Sequence, residues 1–273
     1  MNMNQLLVNQ SKETIDVRER SVSVNGIKIH LYCGGLGAPV LFFHGAAGVK
    51  GWTPYFEALS QRYEVLAPSH PGFGHSDDAL QLGSPRQVAE FYQAWVKELG
   101  IDKFHLVGSS LGAWIASEFA ALDDSALHSL TLIAPPGLAP KPASGPGPGQ
   151  SAAEYAIRKL FLDQRIADRW LAAEPTEDQK RIIARNRAAT ARLAGEDFYN
   201  PLLKEALRSI MVPTLVVWGD SDAVVPVEQA ELWGHGIKNS QIEIIEECGH
   251  LPHMECTAVT MERIFDFHDS ISL

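Results

Sequence analysis

Ser110 stands in Gly108-Ser109-Ser110-Leu111-Gly112, between the apolar run 104–107 and an amphipathic stretch, 111–121. A serine at a turn from strand into helix can present its hydroxyl as a nucleophile. The flanking glycines suit that turn, because so sharp a reversal leaves no room for side chains two positions either side, and the strain lifts the hydroxyl clear of the sheet. Alone, the pattern is weak, since small-residue turns before helices are common. A nucleophilic serine also needs a base, a group that orients the base, and donors for the oxyanion.

Candidates for all three occur at the ends of other apolar runs. The run 39–43 leads into His44-Gly45-Ala46-Ala47-Gly48, a turn of small residues whose backbone N–H groups can face a ligand. Further on, 214–218 closes with Gly219-Asp220-Ser221-Asp222, and 241–245 precedes Cys248-Gly249-His250-Leu251-Pro252. The order serine, carboxylate, histidine differs from the chymotrypsin and subtilisin orders. On the residues alone, either Asp220 or Asp222 can serve as the acid.

Rival chemistries fit less well. No glycine-flanked turn presents Cys248 as a nucleophile, and Cys33, Cys248 and Cys256 read as buried packing residues in a reducing compartment. Pro252 spoils the helix that would align His250 and His253 on one metal, and no His-Glu-x-x-His helper exists, so no metal is expected. Gly72-Phe73-Gly74 lacks the third glycine of a dinucleotide fingerprint, so no cofactor is expected. His44 reads as a turn-holding residue rather than a second base.

The elements that must position these groups follow from the hydrophobic pattern. Alternation over 14–24 and 27–33 around Asn25-Gly26 predicts an antiparallel hairpin at the sheet edge. Apolar strands at 40–43, 63–67, 104–107, 129–133, 214–217 and 241–245 then alternate with helices at 52–60, 85–99, 111–121, 227–235 and 257–269. That is the signature of a doubly wound, mostly parallel α/β sheet of about eight strands, covered on both faces. Between 133 and 212 no strand is convincing. A Pro/Gly-rich run, 135–149, reads as a linker, and helices are expected at 152–162, 165–173, 176–193 and 201–210. Thr176 with Gln179 forms a capping-box pattern. The expected organisation is a core of 1–134 and 212–273 with a helical cap, 135–211, lying over the strand ends where ligands bind in open α/β sheets. The cap carries a net charge of +3 (twelve Lys/Arg against nine Asp/Glu), which solvated helix faces explain.

The chain has 273 residues, enough for a substantial core, and a formal charge of −10, which argues against a nucleic-acid partner. Residues 1–12 hold one short apolar run and no basic leader, so neither a signal peptide nor a membrane span is expected, and a cytoplasmic address is the default. Composition leaves the oligomeric state open.

Together these residues resemble the α/β-hydrolase family, specifically its capped members. The resemblance spans nearly the whole chain. It includes His44-Gly45, Pro71-Gly72-Phe73-Gly74-His75-Ser76-Asp77, the elbow, Trp218-Gly219-Asp220-Ser221-Asp222 with Pro226, and Gly249-His250-Leu251-Pro252 with Glu255. Ser69 departs from the Asp of many relatives, and Cys256 follows Glu255 just before a place that often holds Pro. The resemblance implies Ser110 as nucleophile, His250 as general base and Asp222 as the orienting acid, with Asp220 capping the turn. It implies an oxyanion hole from the N–H groups of Ala46 and Leu111. Trp114, Phe161, Trp170 and Leu251 are the expected pocket residues. A serine at the elbow argues against carbon–halogen and epoxide chemistry, for which relatives use a carboxylate. What it implies is a serine esterase for a small to medium, mostly apolar substrate. Carbon–carbon bond hydrolysis of dienoic ring-cleavage products is the alternative. It is weakened because those relatives often carry an aromatic residue after the histidine and Asn before the nucleophile, where this chain has Leu251 and Ser109. A hydrolase-like small-molecule receptor is a third reading.

Overall fold

The computed structural model describes residues 15–140 and 145–271. Strands Arg18–Val24 (β1) and Ile27–Gly34 (β2) form the hairpin, and Pro39–Phe43 (β3) leads to helix Pro54–Ser60 (α1). Glu64–Pro68 (β4), Pro85–Glu98 (α2), Phe104–Ser109 (β5), Leu111–Leu122 (α3) and Leu127–Ile133 (β6) complete the first part. Four helices follow: Ala152–Arg158 (α4), Gln164–Ala172 (α5), Glu177–Ala194 (α6) and Leu203–Ala206 (α7). The sheet then resumes with Thr214–Gly219 (β7), Gln229–Gly236 (α8) and Ser240–Ile245 (β8), and the described chain closes with Pro252–Glu255 (α9) and Thr257–Ser270 (α10).

The eight strands lie in the order β1-β2-β4-β3-β5-β6-β7-β8. β1 pairs antiparallel with β2 and β2 with β4, and all later pairs are parallel. Asn25 and Gly26 both have positive φ, which is what the tight hairpin turn needs. The central strands are mostly apolar because both faces are covered, with residues such as His105, Ser129, Thr131 and Thr214 as buried polar exceptions. Along β3, Leu41 and Phe43 join the core under α2 and α3, while Val40 and Phe42 join the core under α1 and α10. β7 alternates likewise, with Val216 and Trp218 on one face and Leu215 and Val217 on the other. Each such side chain, fully buried, contributes roughly 1.5–3 kcal/mol.

Register places the chemistry-bearing loops along one edge. Phe43 pairs with Gly108, Ser109 with Ile133, Ile133 with Val217, and Gly219 with Ile245. Five strands therefore end at one level, and the turns bearing Ala46, Ser110, Asp222 and His250 leave from it.

Several boundaries differ from the sequence expectation. The predicted helix 152–162 ends at Arg158, since the backbone beyond it is engaged by another loop: the His250 N–H donates to Leu160 O at 3.0 Å. The predicted helix 201–210 is one α-turn, α7, followed by a 3-10 turn over Leu207–Ser209. Helix α1 starts at Pro54, beyond Trp52, and β1 starts at Arg18 rather than at residue 14, which lies outside the described residues. Helix α9 was not anticipated. Thr176 and Gln179 do form a reciprocal capping box at the start of α6. Of the run 135–149, residues 141–144 lie outside the described residues, and the rest holds no helix or strand.

Candidate active site

Ser110 has φ 52° and ψ −119°, a left-handed conformation that a side-chain-bearing residue adopts only under strain of about 1–3 kcal/mol. The surroundings enforce it. The Ser110 N–H donates to Ile133 O at 2.8 Å, and its carbonyl accepts from the N–H groups of Ala113 and Trp114. A Cβ on Gly112 would lie 2.1 Å from Phe43 O and 2.5 Å from His44 O, so only glycine lets α3 start this close to β3.

The three sequence-predicted residues meet at this elbow. His250 Nε2 lies 2.9 Å from Ser110 Oγ, and His250 Nδ1 lies 2.7 Å from Asp222 Oδ2. A carboxylate only accepts, so Nδ1 carries the proton and Nε2 offers its lone pair to the serine hydroxyl. The second oxygen, Asp222 Oδ1, accepts from the N–H groups of Val224 at 2.7 Å and Val225 at 2.9 Å, which fixes the carboxylate plane. Asp220 faces elsewhere: its carboxylate accepts from Glu247 and Cys248 N–H at 3.1 and 3.2 Å and braces the turn before His250. Against the opposing effect of burial, the Ser221 hydroxyl and then the backbone N–H groups of Glu247, Cys248 and Ser221 hold Asp220 below the usual carboxylate range. Gly219 permits this approach, because a Cβ there would sit 2.1 Å from Gly249 O.

The turn 45–48 lies beside the serine; a Cβ on Gly45 would come within 3.3 Å of Ser110 Cβ. Gly48 N–H donates to Gly45 O at 3.0 Å, closing the turn. Among the described residues, the N–H groups of Ala46 and Leu111 have no protein acceptor, and Leu111 opens α3, whose dipole favours negative charge at that end. Behind the turn, His44 Nε2 accepts from His70 N–H at 2.9 Å, so His44 Nδ1–H donates to Gly45 O at 2.7 Å. His70 donates from Nε2 to His44 O at 3.0 Å and accepts from Tyr92 Oη at 3.0 Å. Burial lowers His44 to about 4 and His70 well below its ordinary value, so both are neutral brackets of the turn.

Of the four expected pocket residues, Phe161, Leu251 and Trp170 share one apolar cluster with Leu160, Ala167 and Met254 against the histidine loop. Trp114 does not join them. It is packed in the core beneath α7, with its indole N–H directed to Glu118 Oε1 at 3.3 Å. His253, the other half of the discarded metal pair, packs against Phe42 and Tyr55, and burial lowers it to about 3.

Three further residues join the inserted helices to the site, and sequence reasoning gave none of them this role. Glu255 accepts from Gly249 N–H at 2.7 Å through one oxygen and from Asp163 N–H at 2.6 Å through the other, tying the start of α5 to the loop of His250. The buried carboxylate of Glu118 accepts from Asn200 at 3.1 Å. Asn186 bonds both Ala47 and Gly74. The available signal for Asn186 was its position: it falls on the inward stripe of α6 with Ala189 and Leu193, where an amide must find partners. Lys50 Nζ, over the Trp170 ring at 3.7 Å, adds a cation–π contact between the post-turn loop and α5.

An eight-stranded mixed sheet whose strand ends gather a strained serine, a histidine and an aspartate defines a hydrolase of the α/β class. The chain belongs to the alpha/beta hydrolase family, whose model matches residues 40–263. It is 30% identical over 267 residues to the monoacylglycerol lipase abhd6-A of Xenopus laevis, covering 86% of this chain and 76% of that protein. It is 27% identical to the 2-hydroxy-6-oxo-6-phenylhexa-2,4-dienoate hydrolase of Burkholderia cepacia, covering 93% of this chain and 94% of the relative. The solved structure of the enzyme of that name from Rhodococcus superposes with a TM-score of 0.76 at 18% identity, over 94% of this chain and 100% of the other, which shows the shared fold. Among the described residues, no helix is long and apolar enough to cross a membrane.

Proposed function

We propose that this hydrolase cleaves a carboxylic ester of small to medium, mostly apolar character through an acyl-serine intermediate on Ser110. The observation that carries the reading is the unbroken hydrogen-bond chain Asp222–His250–Ser110 at 2.7 and 2.9 Å. His250 Nε2 takes the hydroxyl proton as Oγ attacks the ester carbonyl, and Asp222 stabilises the imidazolium. The tetrahedral oxyanion is held by the N–H groups of Ala46 and Leu111, each worth about 3 kcal/mol in such sites. The proton passes from His250 to the leaving alcohol, and water, activated by the same histidine, releases the acid. Segment 135–211 acts as the cap, with Phe161, Leu251 and Trp170 forming an apolar wall over the acyl group; Trp114, on α3, is packed in the core and takes no part in that wall.

The similarity to the Burkholderia enzyme, over nearly the full length of both chains, favours carbon–carbon hydrolysis as the second reading. Against it stand the aliphatic Leu251 after the histidine and Ser109 before the nucleophile. The test is a turnover panel of short and medium acyl esters, a lactone, an aryl amide and a dienoic ring-cleavage product, run on the wild type and Ser110→Ala. Serine-dependent ester turnover, reduced about 10⁴-fold or more in Ser110→Ala, is expected. Retained activity in that variant refutes the nucleophile. Turnover of the dienoic compound alone selects the second reading.

A further inference from the structure

We propose that Asn186, on the inserted helix α6, is a positioning residue for the oxyanion pocket, acting through two peptide planes of the turn 45–48. The proposal rests on the reading of Ser110 as an acyl-accepting nucleophile.

The side chain of Asn186 is buried, and its amide is used at both ends. Nδ2 donates to Ala47 O at 2.9 Å, and Oδ1 accepts from Gly74 N–H at 3.0 Å. The orientation is determined, since a flipped amide would set oxygen against the Ala47 carbonyl and NH₂ against the Gly74 N–H. Ala47 O shares a planar peptide unit with Gly48 N–H, and in a trans peptide the two point in opposite directions. Gly48 N–H in turn donates to Gly45 O at 3.0 Å. Gly45 O shares its own plane with Ala46 N–H, the candidate oxyanion donor.

The hydrogen bonds therefore run in one sense: Asn186 Nδ2–H to Ala47 O, Gly48 N–H to Gly45 O, and Ala46 N–H onward to the oxyanion. Donation at the head of such a chain fixes both planes and polarises the last N–H, because successive bonds strengthen one another. His44 Nδ1–H adds a second donor to Gly45 O at 2.7 Å, from the core side. Ala47 O has Asn186 as its donor, so one end of the relay belongs to the insertion. Gly48 has φ +78°, open to glycine, and a Cβ there would lie 2.5 Å from Asn186 Nδ2, so the amide sits directly against the 47–48 plane. Seating α6 and aligning the oxyanion donor are thus one event, and the insertion forms part of the catalytic apparatus as well as a cover.

Neighbouring contacts separate this role from simple anchoring. Arg185, one residue earlier, donates to Gly74 O at 2.6 Å, Ser76 O at 2.8 Å and Asp78 at 2.7 Å, without touching the turn 45–48. It fastens the same helix to the same neighbouring loop, which makes Arg185→Gln the control.

The experiment measures kcat, KM, melting temperature and the Kd of an alkyl boronic acid, which binds an active-site serine as a tetrahedral adduct, for wild type, Asn186→Asp, Asn186→Ala and Arg185→Gln. Asn186→Asp keeps the size and the acceptor for Gly74 but puts a carboxylate oxygen against Ala47 O. Both Asn186 variants should lose about 10- to 100-fold in kcat and in boronate affinity, with KM within about 3-fold, a fraction of the loss that follows outright removal of a donor. Arg185→Gln should lower the melting temperature and keep kcat within about 2-fold, since it touches no oxyanion group. A folded Asn186 variant with wild-type kcat and boronate affinity, a loss confined to KM, or failure of both variants to fold would overturn the proposal. Absence of serine-dependent turnover and boronate binding in the wild type would instead remove the reading on which it rests.

Discussion

Asp222→Asn isolates the part of the site that rests most directly on hydrogen-bond direction. Asp222 Oδ1 accepts from two backbone N–H groups at 2.7 and 2.9 Å, and Oδ2 faces His250 Nδ1 at 2.7 Å. An asparagine must keep its oxygen on the two backbone donors, because its NH₂ cannot accept. The NH₂ is then forced towards Nδ1, and a donor facing Nδ1 selects the tautomer protonated at Nε2. That nitrogen lies 2.9 Å from Ser110 Oγ and can no longer take the hydroxyl proton. The expected loss is the one known for the wrong tautomer in a serine–histidine–aspartate site, about 10⁴-fold in kcat, equivalent to about 5 kcal/mol.

The assay is the steady-state hydrolysis of a p-nitrophenyl ester by Asp222→Asn and Asp220→Asn, with melting temperature as the check on folding. Asp220→Asn keeps an acceptor for one of the two N–H groups of Glu247 and Cys248 and leaves the histidine tautomer alone, so it should cost about 10-fold or less. A folded Asp222→Asn within 10-fold of wild type, or a larger loss in Asp220→Asn, would refute the tautomer reasoning and move the acid role.

The remaining expectations concern the scaffold. Gly112→Ala would place its methyl 2.1 Å from Phe43 O, an overpacking of about 3 kcal/mol or more, and urea unfolding should show it; unchanged stability would mean that α3 can shift away from β3. Glu255→Ala strands the N–H groups of Gly249 and Asp163 at a cost of about 2–4 kcal/mol, expected as a fall in melting temperature of about 5–15 °C together with reduced kcat, because Gly249 adjoins His250; an unchanged melting temperature would show that water replaces the carboxylate. Burial lowers six histidines from 6.5: His44 and His105 to about 4, His253 and His268 to about 3, His70 well below its ordinary value, and His128 in the same direction. The unfolded chain therefore binds more protons than the folded one once pH drops below about 6.5. Their contribution is present above that value and is lost as pH falls towards 4, at up to about 1.4 kcal/mol per pH unit for each buried histidine. Melting temperatures between pH 7.5 and 4.5 should decline steeply below pH 6.5, and a flat profile would show that these rings find acceptors for a second proton.

The parts of this molecule legible in the sequence are those set by short-range rules. The hairpin followed from Asn25-Gly26, the central strands from mostly apolar runs, and α6 from its capping box, because each depends on residues a few positions apart. The elbow was legible for a steric reason: at Gly112 a Cβ meets the Phe43 carbonyl, so the glycine marks the close approach itself. Segment 159–162 read as helix because its residues favour one, and a tertiary bond decided otherwise, from His250 N–H to Leu160 O. The choice between Asp220 and Asp222 was open on residue type, since both follow the same strand and differ only in which loop donors each meets. Trp114 shows the converse: its place one turn after Ser110 suggested the pocket, but helix α3 turns that face to the core.

What the sequence conceals most is the dependence of each reactive group on a partner far along the chain. Asp222 and His250 are 28 residues apart, His250 and Ser110 are 140 apart, and Asn186 reaches Ala47 across 139. A strained serine elbow is a costly local state, and it persists only where distant groups over-determine it; the turn 45–48 beside it is likewise held from outside, through its peptide planes. Here the supporting contacts come from both sides: His44 and His70 from the loops after β3 and β4 and Tyr92 from α2, and Asn186, Leu160 and Asp163 from the insertion. Changes in the inserted helices should therefore alter kcat as well as specificity. A graft of a foreign insertion onto this sheet should fail catalytically unless it supplies a donor to Ala47 O and a link to Glu255.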